Sequence, residues 1–268
     1  MTELFEKTTL GRSGLQVSKL GIGSSFGVSV GACRKAFDAG VNYFFWGSIR
    51  TPPMATAIRE ISLTKREDLV VVIESYSRAF WVKRSLEKAL KITGLDYADI
   101  LLLGWHDKPP CKRLLDAAED LREKGKFKHL AISSHNRKLF PQITDDPRYD
   151  VFHVRYNAAH PGAEQDVFPH LGTNAPGIVA FTSTCWGQLL KQKNMPEGYT
   201  APSATDCYRF SMSNPNVHVA TCGPKNDSEL DTALKALEMG KMDEDELDRM
   251  RKIGAHVRGR RSFMGLFT

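Results

Sequence analysis

Eight short apolar runs recur along the chain, each followed by a stretch of helical spacing, and this alternation constrains the fold more than any other feature. The runs are KLGIG (19–23), VNYFF (41–45), LVVVIES (69–75), DILLLGW (99–105), HLAISS (129–134), DVFHVR (150–155), GIVAFT (177–182) and NVHVAT (216–221). Segments such as LVVVI and ILLL do not alternate polar with apolar residues. They therefore read as strands buried on both faces, as in a parallel sheet covered by helices. Between the strands, CKRLLDAAEDLREKGK places Leu114, Leu115, Ala118 and Leu121 on one face and stops at Gly125. SELDTALKALEMG likewise aligns Leu230, Ala233, Leu234 and Leu237 and stops at Gly240.

Eight β–α units in 268 residues predict a closed (β/α)8 TIM barrel in one domain spanning 1–268. An open doubly wound sheet is the competing arrangement, but GIGSSFG after the first strand lacks the GxGxxG spacing of that fold. TTLGRSGLQVSKLGIG reads as an N-terminal β-hairpin leading into the first barrel strand, with turns at Gly11 and Gly14.

Composition narrows the function classes. No apolar run approaches the roughly 20 residues that cross a bilayer, and MTELFEKTTL lacks the basic-then-apolar pattern of a secretory signal, so a cytoplasmic protein without a membrane partner is expected. The formal charge of +6 suits an anionic small molecule. Its one dense cluster, RKIGAHVRGRR, accompanies no nucleic-acid recognition motif and reads as a solvated helix end. Cys33, Cys111, Cys185, Cys207 and Cys222 are scattered without CxxC pairing, which reads as free thiols and no metal site.

In such a barrel, function sits where the strands end. The fragments at those ends resemble the aldo-keto reductases over nearly the whole chain. LGRSGLQVSKLGIG is similar to that family's opening hairpin and first strand, GVNYFF to its second, GLDYADILLLGWHD to its fourth and GKFKHLAISSHN to its fifth. VRYNAAHPGAEQDVFP is similar to the sixth strand and its extension. The resemblance implies a nicotinamide cofactor, NADP with NAD as the alternative, and hydride transfer with a small-molecule carbonyl substrate. It also implies an Asp–Tyr–Lys–His tetrad in which the Tyr donates a proton to the developing alkoxide.

Carried over position by position, the Asp falls on Phe45, the Tyr on Arg50, the Lys on Glu74 and the His on Gly104. Neither a phenyl ring nor an always-protonated guanidinium donates usefully. The candidate substitutes are Glu74, which would pair with Arg50 across the mouth, and His106, two residues beyond Gly104 and so on its side of an extended strand. Tyr76 follows Glu74 closely, and Trp46 and Trp105 either wall a pocket or fill the mouth. The plain alternative is a structural Glu74–Arg50 ion pair with His106 in a surface loop.

The cofactor side keeps more of the family's pattern. TCGPKNDSEL opens a helix after the eighth strand, and backbone N–H groups at such a start suit phosphate. The resemblance places Gly223, Lys225 and Asn226 on the phosphates and Glu229 near the adenine. It places Phe181 under the nicotinamide, Thr182 and Ser183 on the pyrophosphate and Ser133 on the carboxamide, with Ser134 in the place of an Asn and His153 in that of a Gln. Two readings stay open: a divergent oxidoreductase with a nonstandard acid, or a noncatalytic nucleotide-binding or scaffold protein whose mouth is filled by Phe45, Trp46 and Arg50.

Overall fold

The computed structural model describes residues 4–23, 27–47 and 51–263, the side chains of 261–263 excepted. Two antiparallel strands, β1 (Thr8–Thr9) and β2 (Gln16–Val17), form the hairpin. Eight parallel strands follow: β3 (Leu20–Gly23), β4 (Tyr43–Trp46), β5 (Val70–Ser75), β6 (Ala98–Leu103), β7 (Phe127–Ser134), β8 (Val151–Arg155), β9 (Gly177–Phe181) and β10 (Val219–Cys222). They close in chain order, with β10 pairing both β9 and β3. The eight expected strands are thus all present. The second and eighth begin two or three residues later than the apolar runs do, because Asn42 is bonded to the hairpin and Val217 closes a turn on Asn214.

Strand parity sorts the side chains into two cores. Tyr43, Val70, Val72, Ile100, Leu102, Ala131, Val151, Val179 and Val219 fill the lumen, and Leu10, Leu15 and Val17 of the hairpin close its amino-terminal end. The alternate residues, among them Phe44, Val71, Ile73, Leu101, Leu103, Leu130 and Ile132, pack outward beneath the helices. Burial on both faces explains the unbroken apolar runs, each Val, Leu or Ile contributing roughly 2 kcal/mol. The hairpin lies so close to β9 that a Cβ on Gly11, whose φ is +49°, would sit 2.3 Å from the Gly177 nitrogen.

The helices are α1 (Val30–Asp38), α2 (Pro52–Lys65), α3 (Ala79–Thr93), α4 (Lys112–Glu123), α5 (Leu139–Ile143), α6 (Ala163–Asp166), α7 (Ala204–Ser213), α8 (Asp227–Met239) and α9 (Glu244–Phe263). α4 buries the four expected residues, and α8 buries Leu230, Ala233 and Leu234 while Leu237 is half-buried. Both stop where expected, with Gly125 and Gly240 at positive φ. Among the described residues no helix is long and apolar enough to cross a membrane.

Candidate active site

The mouth of the barrel is built from the carboxyl ends of the strands and the loops after them. On the β4–β6 side, Glu74 projects inward from β5, and its carboxyl group lies between two glycines. A Cβ on Gly47 would stand 2.8 Å from Oε2 and one on Gly104 would stand 2.8 Å from Oε1. The Tyr76 ring covers Gly104, 2.7 Å from the same imagined Cβ. These small residues therefore create the seat of the carboxyl group, and the aromatic ring takes the volume a side chain at 104 would need. Burial pushes the Glu74 pKa up to about 7, opposed by a hydrogen bond with the Tyr76 side chain. Burial also raises the Tyr76 phenol, and the Glu74 charge and hydrogen bond raise it further. A carboxyl group poised near neutrality beside a hydroxyl is equipped to deliver a proton.

His106 borders the same region. Its backbone N–H donates to the Ser133 carbonyl at 2.9 Å, and the Trp105 N–H donates to the Ser133 hydroxyl at 2.9 Å. Burial lowers the His106 pKa, with Asp107 opposing. A groove of about 680 Å³ runs past Tyr76, Gly104, Trp105, His106 and Arg113. The structure thus brings Glu74, Tyr76 and the His106 loop to one side of the mouth; Arg50 lies outside the described residues.

His153 sits deeper. Its Nε2 is 2.8 Å from the Tyr43 hydroxyl, and Phe45 meets its ring edge-on at 5.8 Å. Complete burial drops its pKa to about 3, so the ring is neutral. Ser134 is buried on the outer face and exchanges hydrogen bonds with Asn136: its hydroxyl donates to the Asn136 carbonyl and accepts from the Asn136 N–H. Its side chain is thus committed to a turn, while Ser133 supports the loop after β6.

On the opposite side, a cavity of about 590 Å³ extends from Gly23 and Phe45 past Ser183 and Trp186 to Gly223, Lys225 and Glu229. Its floor is a tight turn after β9. Thr182, Cys185 and Trp186 adopt φ of 61°, 51° and 53°, strain that β-branched and bulky side chains rarely accept. The turn is held by Cys185 N–H donating to the Thr182 carbonyl at 2.7 Å and by the Asn157 side-chain amide donating to the same carbonyl at 2.8 Å. Ser183 lines the cavity with a buried hydroxyl that has no hydrogen-bond partner among the described residues. At the α8 start, Asn226 accepts from the Glu229 N–H at 2.9 Å and Glu229 accepts from the Lys225 N–H at 2.8 Å. Asp227 is bonded to Ser29. Thr182, Ser183, Gly223, Lys225 and Glu229 therefore share one cavity, with Asn226 capping the helix beside it.

Phe181 ends β9, half-buried, and meets the His135 ring edge-on at 5.3 Å. His135 also contacts Trp105 at 5.3 Å and stacks on Trp186 at 6.5 Å. Reading the sequence as a string gave His135 no role because its ring partners are 30 to 51 positions away in the chain. The glycine seats at 47 and 104 and the bond from Tyr76 to Glu74 were equally hidden. An outward Ser134 was the one signal available, since it follows an inward Ser133 by a single residue. Among the described residues no cluster of three His, Cys, Asp or Glu could hold a metal.

The site thus lies on a closed (β/α)8 barrel with its cavities at the carboxyl ends of the strands, one of them reaching a capped helix after the last strand. The chain belongs to the aldo/keto reductase family, whose model matches residues 29–206. It is 25% identical over 233 aligned positions to an L-galactose dehydrogenase of Arabidopsis thaliana, covering 75% of this chain and 72% of that one. Its fold is similar to that of the aldo-keto reductase AKR11C1 from Bacillus halodurans in holo form, with TM-score 0.77, 18% identity and coverage of 93% and 96% of the two chains. It is also similar to an aldo/keto reductase from Klebsiella pneumoniae in complex with NADP and acetate, with TM-score 0.75, 18% identity and the same coverage.

Proposed function

We propose that the protein binds NADP(H), or NAD(H), in the cavity between Phe45 and α8 and reduces a small-molecule carbonyl compound with an acid other than the family's tyrosine. The observation that carries the cofactor half is the Ser183 hydroxyl, buried in that cavity without a partner among the described residues. A buried polar group left unpaired costs about 1–3 kcal/mol, so it calls for a ligand oxygen or nitrogen. Gly223 adds room, because nothing lies within 4 Å of a Cβ placed there. Thr182 and Ser183 would face the pyrophosphate, Phe181 the nicotinamide ring and Lys225 a phosphate.

When bound, the nicotinamide supplies a hydride with its electron pair to the carbonyl carbon. The carbonyl π pair then resides on oxygen, which must take a proton. Tyr76 is exposed at the mouth and bonded to Glu74, so its hydroxyl proton passes to the alkoxide as the Glu74 carboxyl proton replaces it. Glu74 is recharged from solvent, and its pKa of about 7 keeps a usable protonated fraction at neutral pH. His106 lines the same groove and would orient the carbonyl.

The second reading, a noncatalytic nucleotide-binding protein, is supported by Phe45, whose ring lines the cofactor cavity and packs on His153. Fluorescence titration with NADPH and NADH, followed by turnover with a panel of aldehydes and ketones, separates the readings. Binding with turnover is expected. Binding without turnover would leave the noncatalytic nucleotide-binding reading, and no binding at high micromolar concentration would leave only a scaffold protein whose mouth is filled.

A further inference from the structure

Arg155 is the last residue of β8, and its Cα partner across the sheet is Phe181. Two residues earlier His153 faces the lumen, so parity directs Arg155 to the same side, one layer higher at the mouth. It is half-buried, yet among the described residues no carboxylate lies within ion-pair distance of it and its buried Nε has no hydrogen-bond partner. Elsewhere the chain treats buried arginines differently. Arg209 donates to both Glu246 oxygens, at 2.6 and 2.8 Å, and to the carbonyls of Gly240 and Lys241. Arg12 and Arg122 also leave Nε unpartnered, but their amino groups reach the Thr144 carbonyl and Asp150 respectively.

The surroundings of Arg155 increase the mismatch. Burial lowers its pKa, and the charges of Arg137 and Arg258 lower it further, with only Cys185 acting the other way. Arg155 in turn helps to depress the His135 pKa, after burial. Arg137 is itself paired with Asp166 at 2.8 Å, which leaves Arg155 as a desolvated guanidinium with no carboxylate of its own among the described residues, a state that is unfavourable unless an anion completes it. Its sheet partner Phe181 meets His135 in edge contact, and His135 in turn meets Trp105, 62% exposed, and Trp186, 48% exposed.

We infer that Arg155 anchors an oxyanion, carboxylate or phosphate, carried by the molecule that enters the mouth, whose planar or apolar body lies against the rings around His135. The substrate class is then an acidic carbonyl compound rather than a neutral one. A fork of guanidinium donors grips such a group bidentately, which fixes the carbonyl's approach to Phe181. This assignment rests on the proposed oxidoreductase reading for its consequence, but the anion site itself is testable without cofactor.

The test uses the cofactor-free protein, with tryptophan fluorescence and calorimetry reading the binding of phenylglyoxylate, phenyl phosphate and neutral acetophenone. Phenylglyoxylate or phenyl phosphate should bind on the order of 10- to 100-fold tighter than acetophenone, and the stronger of the two identifies the oxyanion. Arg155→Gln should erase that preference, Arg155→Lys should keep part of it, and acetophenone binding should not change. Equal binding of the three probes, or a preference that survives in Arg155→Gln with unchanged thermal stability, would overturn the inference. NADPH titration of the same variants separates the two ideas. Oxyanion preference without cofactor binding defeats only the oxidoreductase reading, whereas loss of cofactor affinity in place of oxyanion affinity in Arg155→Gln defeats the anchor.

Discussion

At the amino-terminal end of the barrel, Asp99 pairs with Arg66 at 2.9 Å and accepts from the Val71 N–H at 2.8 Å, whereas at the other end Glu74 and Arg155 have no such opposite charge among the described residues. The closed end repeats the pattern of matching. Arg122 reaches Asp150 at 3.0 Å and the carbonyl of Arg148, and Asn42 holds Ser18 and Gln16 of the hairpin through three hydrogen bonds. Among the described residues, buried polar atoms without a hydrogen-bond partner occur at both ends: Nε of Arg12 and Arg122 and the Tyr149 hydroxyl at the closed end, the Ser183 hydroxyl and Nε of Arg155 at the mouth. The four described non-glycine residues at positive φ, Trp105, Thr182, Cys185 and Trp186, are also all there. What separates the two ends is charge: the closed end pairs Asp99 with Arg66 and Arg122 with Asp150. The mouth leaves Glu74 and Arg155 without an opposite charge among the described residues and gathers the strained backbone, the arrangement expected of a ligand site.

The largest effect expected from this contrast is at the closed end. Burial raises the Asp99 pKa more than Arg66, the Val71 N–H and Lys128 lower it, so the pair is not a net gain over an apolar pair. Removing one partner is another matter, because Arg66 is left uncompensated and the Val71 N–H loses its acceptor. Asp99→Ala should therefore lose roughly 3 kcal/mol in urea unfolding, with nucleotide affinity unchanged. A loss of cofactor affinity beyond that explained by unfolding would show that the two ends are not independent.

Glu74 should behave in the opposite sense. Its folded pKa of about 7 lies above the ordinary 4.5, so the folded state holds a proton that the unfolded chain has already released. The native state thus loses stability as pH rises between those values, by up to roughly 3 kcal/mol. Glu74→Gln removes the ionisation. It should be more stable than the wild type at pH 8 and nearly equal at pH 4.5, while carbonyl turnover falls on the order of 100-fold. Thermal unfolding across pH, set beside kcat, tests both halves. A variant no more stable at pH 8 than at pH 4.5, each relative to the wild type, would deny that the mouth holds a destabilised carboxylate.

The closed end was legible in the sequence because parity and apolar content decide it. LVVVIES and DILLLGW have few ways to be buried on both faces, and Gly125 and Gly240 mark helix stops by their position alone. The mouth was legible only as a set of positions. That Glu74 ends a strand follows from the run before it, but its seat depends on Gly47, 27 residues upstream, and Gly104, 30 downstream. Arg155 shows the limit most plainly. Its type and place can be read from VFHVR, but that no described carboxylate reaches it is a property of everything packed around it.

The smallest effect concerns which nicotinamide dinucleotide the proposed cofactor cavity would prefer. Lys225 and Glu229 both line the cavity, and Asp227 stands beside them on the first turn of α8. Glu229 is bound to the Lys225 N–H, a role a neutral amide oxygen also fills, so Glu229→Gln removes the charge and keeps the acceptor. A 2′-phosphate lying near this turn should then bind about threefold more tightly, since an exposed charge contributes only about 0.2–1 kcal/mol and is screened by salt. NADPH affinity should rise, NADH affinity should hardly move, and the difference should shrink at high ionic strength. If both cofactors gain equally, Glu229 opposes the pyrophosphate they share. If neither changes, the carboxylate belongs with the matched charges of the closed end, a helix cap that happens to border the mouth.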